Sequence, residues 1–407
     1  MRETTDILIS GGGVAGLTAA CAFGSAGFRV ICVDPAPPIT EGDAEGADLR
    51  TTAFLQPSIP VLQGAGLWSR LEPHAAPLQV MRIIDAGGER PEARLIKDFD
   101  AADISDAPFG WNLPNWLLRR EMVARLAELP SVSFRPGIGF ARMLTRDTEA
   151  LVTLSDGSHV AARLVIGADG RTSPVREALG IGAKTTRYGQ RALAFAVTHM
   201  IPHGNVSTEV HRSGGPFTLV PLPDRDGRPA SAVVWMDGGP EVARLAALPV
   251  PDFETEMTAR SSGILGPLTL VSRRSVWPII SQIADRLSGP RTVLMAEAAH
   301  VVPPIGAQGL NMSLADLAAL LDLARTHHAD PGVPAVTDAF HRARHLEVRA
   351  RVTGIDLLNR ASMVRTPVLR DLRAKALDAL YSASPIRHTL MRAGLGAAGK
   401  SATPTRR

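Results

Sequence analysis

The chain has 407 residues, 45% of them apolar, and its 44 basic and 40 acidic side chains leave a formal charge of +4. That is length for two or three domains with sizeable cores in a soluble globular protein. No apolar run reaches the roughly 18 to 20 residues that a bilayer span needs, and the start, MRETTDILIS, lacks a charged-then-apolar signal layout, so a cytoplasmic location is expected. Lysine occurs only at positions 97, 184, 375 and 400, and the arginines are dispersed among acids, which argues against a dedicated nucleic-acid surface. Cys21 and Cys32 read as core hydrophobes, not as a disulfide or metal pair.

Asp6 to Asp34 reads as a β-α-β unit. The apolar run Ile7 to Ile9 feeds Gly11, Gly13 and Gly16 in GxGxxG spacing, with Val14 and Ala15 opening a helix, and the second strand ends at Asp34. Gly11 suits the tight turn, Gly13 the close approach of a pyrophosphate, and Gly16 close helix packing; Asp34 stands where an acid accepts from a ribose. The spacing points to a dinucleotide and leaves NAD or FAD open. Gly394, Gly396 and Gly399 repeat it with no strand in front, so that copy reads as a flexible tail.

Asp48, Leu49 and Arg50 are expected to open an apolar helical stretch to Leu67, Arg50 serving either as a phosphate contact or as a solvated arginine. Val80 to Arg94 and Phe99 to Trp111 read as short strands, and a helix follows from about Leu118 to Leu129 with Arg119 and Arg120 at its start. The strand Leu164 to Ile166 delivers Gly167, Asp169 and Gly170 to a helix entered through Pro174. From Thr185 to Trp277 alternating segments separated by turn clusters predict an inserted antiparallel sheet.

The stretch Arg291 to Asp316 organises the rest. A buried strand, Thr292 to Ala296, stops at Glu297; Pro303, Pro304, Gly306 and Gly309 form a stiff loop; a helix with Leu310, Leu314, Leu317, Leu320 and Leu321 is opened by Asn311 and Ser313. Unpaired N–H groups at such a helix start suit an anionic group. The strand ends at Gly11, Asp169 and Glu297 fit the rule that open α/β sheets bind ligands beyond the carboxyl ends of their strands. Asp338 to about Leu390 is helical and arginine-rich, read as helices packed on the main body in preference to a membrane or partner face.

Taken together, these residues resemble the FAD-dependent aromatic hydroxylases of the para-hydroxybenzoate-hydroxylase type, and within them the hydroxylases of ubiquinone biosynthesis. The likeness runs from Asp6 to about Gly396 and rests on Gly11, Gly13 and Gly16, on the DG motif from Gly167 to Arg176, and on Ala296 to Asn311, where the family has GD followed by AAHxxxPxxxQGxN. It implies an α/β fold: a Rossmann-like FAD-binding domain (1–75, 112–184 and 286–360), an inserted antiparallel-sheet substrate domain (76–111 and 185–285), and C-terminal helices and tail (361–407).

The resemblance also implies roles. Asp34 would hold the adenosine ribose, and Arg50 with the first helix the pyrophosphate. Arg119, with Arg120 as alternative, would contact FAD; Asp169 would sit where NAD(P)H approaches, and Glu297 at the ribityl chain. Gly306, Gly309, Leu310 and Asn311 would wrap the flavin ring, while Pro303 and Pro304 keep its environment dry. NAD(P)H would bind without a Rossmann domain of its own, and oxygen would pass from a flavin C4a-hydroperoxide to a small aromatic, a polyprenylated phenol, lined by candidates Phe217, Trp235 and Trp277 that equally suit core packing. His300 and His211 read as structural. Peripheral contact with the inner face of a membrane, or with a quinone-biosynthesis complex, is compatible with this reading. Ala296 and Glu297 replace the motif's GD, so an alternative is a catalytically inactive FAD-fold scaffold subunit; another is a hydroxylase of small soluble aromatics.

Overall fold

The computed structural model describes residues 2–87, 92–364 and 366–395. Five parallel strands form its nucleus in the order Thr292–Leu294, His159–Gly167, Glu3–Ser10, Val30–Asp34, Val132–Pro136. Their centres are continuous apolar runs, Ile7 to Ile9 and Leu164 to Ile166, and none of those six residues is exposed. Such runs can only settle where both faces are covered. Helices Val14–Ser25, Asn115–Ala127, Gln308–Thr326 and Pro334–Ser362 contribute to the same core. The hairpin Phe140–Thr145 and Ala150–Leu154 continues the sheet antiparallel to His159–Gly167.

A second, nine-stranded sheet carries the alternating segments. Its spine, Ala183–Thr198, pairs with Arg228–Gly238 on one side and Ser275–Ala284 on the other. One face buries Phe195, Phe217 and Trp235 against Phe253 of helix Val250–Arg260. Phe217 and Trp235 are therefore core residues, and Trp277 alone of the three aromatic candidates stays half-buried. A small sheet of Thr51–Leu55, Gly110–Pro114 and Ala76–Leu78 completes the set.

Several expectations are corrected. The stretch expected to be helical from Asp48 begins as the strand Thr51–Leu55, because the β-branched pair Thr51 and Thr52 finds a partner in Leu113 and Pro114; α-helix starts only at Ile59. The second sheet is not wholly antiparallel, since Val206–His211 runs parallel to Val80–Asp85. Its last long strand is Ser275–Ala284, displaced from Leu268 to Val276, and helices Gly239–Ala247 and Val250–Arg260 interrupt it. Gly394 is not tail but part of helix Ser384–Leu395, while Gly396 and Gly399 lie outside the described residues.

Candidate functional site

The sheet brings the ends Ser10, Gly167 and Leu294 side by side, locked by Ala168 N donating to Ser10 O at 2.8 Å and Met295 N to Gly167 O at 2.9 Å. At the first end Gly11 turns with φ +119°, and a Cβ there would stand 2.2 Å from Ala168 O. A Cβ on Gly16 would stand 1.9 Å from Gly11 O, which is why helix and strand can pack so closely. Gly13 faces open space, and it precedes helix Val14–Ser25 without any side-chain cap, so the N–H groups around Val14 and Ala15 have no capping side chain. Asp34 accepts from Gly12 N at 2.5 Å and Ala36 N at 2.8 Å.

At the second end one Asp169 oxygen accepts from Ser10 Oγ (3.1 Å) and Val175 N (3.3 Å), while its buried Oδ1 has no partner. Burial pushes this carboxyl above its ordinary range against those hydrogen bonds. Buried Arg176 donates to Ala298 O (2.8 Å) and Arg171 O (2.8 Å), tying the second end to the third. Ser173 caps Pro174–Ala178 by accepting from Arg176 N at 3.0 Å.

The third end departs from a plain strand. After Leu294 the chain turns through Ala296 at φ +56°, a left-handed conformation natural to glycine, into the short 3-10 turn Ala296–Ala298. Glu297 is exposed there although its neighbours on both sides are buried. His300–Val301 then pairs with Gln282 and Ile283, pinning the loop to the second sheet. Pro303 is buried and Pro304 exposed, and the helix begins at Gln308, earlier than expected from Asn311 and Ser313. Its N-cap, Ala307, is left-handed (φ 56°) and supplies no side-chain cap, so nothing from the side chains caps the N–H groups near Gly309 and Leu310. Gly306 shares the positive φ, +62°.

Asn311 does more than its backbone. Its Nδ2 donates to Ala53 O (2.8 Å) and Ala307 O (2.6 Å), and its Oδ1 accepts from Leu55 N (2.9 Å) and Ser58 Oγ (2.7 Å). The loop is thereby stitched to strand Thr51–Leu55. At the start of that strand Arg50 forks onto Asp48 (2.8 and 2.7 Å), lies over the Trp277 ring at 5.6 Å and feels the charge of Glu297. Arg119 meets the same carboxylate at 3.5 Å, whereas Arg120 turns to Glu121 and the Trp116 ring, so Arg119 is the arginine that joins this corner. Burial alone would raise Asp48, but Arg50 and Asn115 hold it below the usual carboxylate range.

Asp48, Arg176 and Asp316 were missed as site residues. The Asp48-Leu49-Arg50 spacing is a usable signal for the first and the DG motif that ends at Arg176 for the second; Asp316 acts through tertiary partners that no local pattern reveals. Asp316 receives His300 Nε2 at 2.6 Å and Arg344 Nε at 2.7 Å, all three buried, so His300 braces the loop as expected. His211 pairs with Glu209 at 2.7 Å in the second sheet.

A cavity of about 530 Å³ opens between the sheets, lined by Leu49, Thr51, Trp116, Leu222, Ala232 and Arg273 among others. Ala307 and Val220 pack against a buried group comprising Ala53, Leu55, Leu78, Ala101, Ile104, Phe109 and Met391. Among the described residues no cluster suits a metal ion, and no helix is long and apolar enough to cross a membrane.

Residues 4–354 match the family model described as FAD binding domain. The chain is 32% identical to a ubiquinone hydroxylase, UbiL, of Rhodospirillum rubrum over 97% of its own length and 90% of that protein's. It is 26% identical to the 3-demethoxyubiquinol 3-hydroxylase of Escherichia coli over 97% and 99%. In fold it resembles p-nitrophenol 4-monooxygenase PnpA of Pseudomonas putida, with TM-score 0.79 at 20% identity, covering 97% of this chain and 99% of that one.

Proposed function

This chain belongs to the FAD-dependent aromatic monooxygenases of the para-hydroxybenzoate-hydroxylase type, related to the ubiquinone-biosynthesis hydroxylases, and from that premise we infer that it hydroxylates the aromatic ring of a polyprenylated phenol on the route to ubiquinone, with NAD(P)H as reductant and O2 as oxidant. The observation that carries this is the convergence of three strand ends beside an apolar group that reaches Ala307.

The residues present fit FAD. Gly13 leaves room where a side chain would intrude, two helix starts lack side-chain caps, and Asp169 Oδ1 is a buried acceptor with no protein donor. Gly11, Gly13, Val14, Ala15 and Gly16 would take the pyrophosphate through backbone N–H groups, and Asp34 the ribose. Arg50 and Arg119, gathered by Asp48, would supply positive charge near the phosphates; Glu297 and Asp169 would accept hydroxyl protons. Gly306, Gly309, Leu310 and Asn311 would hold the ring. When bound, FAD supplies electron transfer from NAD(P)H and the activation of O2.

The chain's own part is electrostatic and steric. N–H groups at the start of helix Gln308–Thr326 stabilise negative charge that develops on a group held there. Buried Pro303 and the apolar group around Leu55, Phe109 and Val220 exclude water, and the cavity lined by Leu49, Trp116 and Leu222 would accept a hydrocarbon chain. No side chain need move a proton in this reading. Separate domains at the boundaries expected above remain part of the same proposal.

Deleting the gene in its host and identifying the accumulated precursor by mass spectrometry tests the substrate; a prenylated phenol lacking one hydroxyl is expected, and an unchanged quinone pool would refute the reading. Purified protein should take up FAD and oxidise NAD(P)H in step with a hydroxylated product. Flavin binding without any such turnover would point instead to a scaffold.

A further inference from the structure

Beyond residue 365 the chain forms an arm of two helices, Pro367–Ser382 and Ser384–Leu395. Its contacts with the body include an aromatic pair, the Tyr381 ring edge-on to Phe99 at 5.4 Å. Four ion pairs dock it on the second sheet: Arg373 with Asp85 (2.8 Å), Arg94 with Asp371 (2.7 Å), Lys97 with Asp378 (2.6 Å) and Arg387 with Asp103 (3.6 Å). One apolar plug enters the body, Met391, exposed by only 2% within the group that Ala307 of the loop completes. Gln308 Nε2, at the helix start, donates to Gly394 O at 2.9 Å, so the plug is tied to the loop itself.

The outward side of the arm is the reverse of a solvated surface. Of the fifteen exposed large apolar residues among those described, six lie on the arm between Val368 and Leu390. On the first arm helix Leu369, Leu372 and Leu380 are 49%, 60% and 45% exposed at spacings that share one face, and Ile386 and Leu390 follow one turn apart on the second. Beside that face Arg373, Leu377 and Tyr381 are half-buried, with Arg373 on Asp85 and the Tyr381 ring on Phe99. Exposed Lys375 and Arg392 flank the apolar face and have no acidic partner among the described residues. An apolar helix face flanked by unpaired cations matches an anionic lipid surface in both hydrophobicity and charge.

We propose that the C-terminal arm is a lid lifted by an anionic membrane surface: its leucine face enters the lipid, and Met391 withdraws from the apolar group beside Ala307, opening that group to the bilayer. The step breaks no covalent bond; it exchanges the ion pairs, the Tyr381–Phe99 contact, the Gln308–Gly394 hydrogen bond and one buried methionine for lipid contacts. This rests on the reading of the substrate as a prenylated phenol, which resides in the same bilayer.

The test needs neither substrate nor turnover. The two native thiols, Cys21 and Cys32, are wholly buried and burial pushes both above their ordinary range, so they form a silent background. In the full chain loaded with FAD, Met391→Cys places a reporter under the lid. Its reaction with Ellman's reagent should be slow in buffer and about tenfold faster with vesicles of phosphatidylglycerol and phosphatidylethanolamine. Phosphatidylcholine vesicles should give little change. Adding Leu369→Asp and Leu372→Asp, both on exposed positions, should abolish vesicle co-sedimentation and the acceleration while flavin absorbance and thermal melting stay as they were. Absence of binding to anionic vesicles would overturn the proposal, as would binding that leaves the thiol rate unchanged. If the lid opens but no prenylated phenol is consumed in the turnover assay, the substrate reading fails and the lid stands; the opposite pair of results spares the reading and removes the lid.

Discussion

The parallel sheet and the C-terminal arm are both regular secondary structure, yet opposite forces hold them. The sheet's inner strands carry apolar runs, Ile7 to Ile9 and Leu164 to Ile166, buried on both faces, so its stability is chiefly a matter of area removed from water and depends little on salt. The arm's first helix has no buried residue among those whose side chains are described, and it stays in place through one ring contact, Tyr381 on Phe99, and ion pairs, of which those of Asp371 and Asp378 are partly exposed and screened by salt. A ligand grip built on the first kind of structure is rigid; a contact built on the second can be exchanged for another partner.

The largest expected effect attacks the rigid half. In Gly16→Ala the new methyl would lie 1.9 Å from Gly11 O, a backbone atom that cannot step aside without moving the helix off the strand. A loss of about 3 kcal/mol in urea unfolding and failure to retain FAD on gel filtration are expected. Leu372→Ala on the arm, a larger deletion of apolar atoms, should change stability by less than about 0.5 kcal/mol because the side chain is already 60% exposed. Equal effects at the two positions would erase the contrast.

Next in size is Asn311→Ala, which removes four hydrogen bonds and leaves Leu55 N and two carbonyls without their partner. About 2 kcal/mol is expected, together with faster flavin release in stopped flow, since the loop would lose its stitch to strand Thr51–Leu55. Unchanged release kinetics would show that the loop is held by its other contacts.

The arm should respond to acid through Asp85. Burial alone would raise Asp85, but hydrogen bonds from Arg373 and Arg94 and from Gly87 N hold it below the ordinary range. Its folded pKa is thus below its unfolded one, so its stabilising share is complete above about pH 4 and is lost only as pH falls through the folded value. Cleavage of the arm by pepsin, divided at each pH by pepsin's rate on an unfolded peptide, should accordingly be flat from about pH 5 down to 4 and rise below that. Asp85→Asn should bring cleavage at pH 5 up to the level that the native chain reaches only in stronger acid.

How much of this could be read beforehand follows the same division. Gly11, Gly16, Asp34 and the three strand ends were legible because a buried parallel strand and a glycine turn are local patterns with one physical solution. Thr51–Leu55 was misread as helix, because what makes it a strand is Leu113 and Pro114, far along the chain. The role of Asp316 is hidden for the same reason, since it lies in His300 and Arg344; Arg176 stands in the DG motif, but its tie to Ala298 is not legible there. The arm's helices were foreseeable from periodicity, but not which face Arg373 and Asp85 would turn inward.

The smallest effect concerns a departure inside the rigid half. Ala296 holds φ +56°, where its Cβ crowds the following carbonyl, and the family's motif has glycine at this point. Replacing it should relieve about 1 kcal/mol, part of which is returned because glycine gains more freedom in the unfolded chain. Ala296→Gly is therefore expected to raise the unfolding midpoint slightly and to tighten FAD binding, measured by quenching of flavin fluorescence, with arm proteolysis unchanged. A destabilised variant would mean that the Ala296 methyl, 8% exposed, contributes more packing than its backbone costs in strain, and that the exchange of glycine for alanine is an adaptation of this chain's own loop.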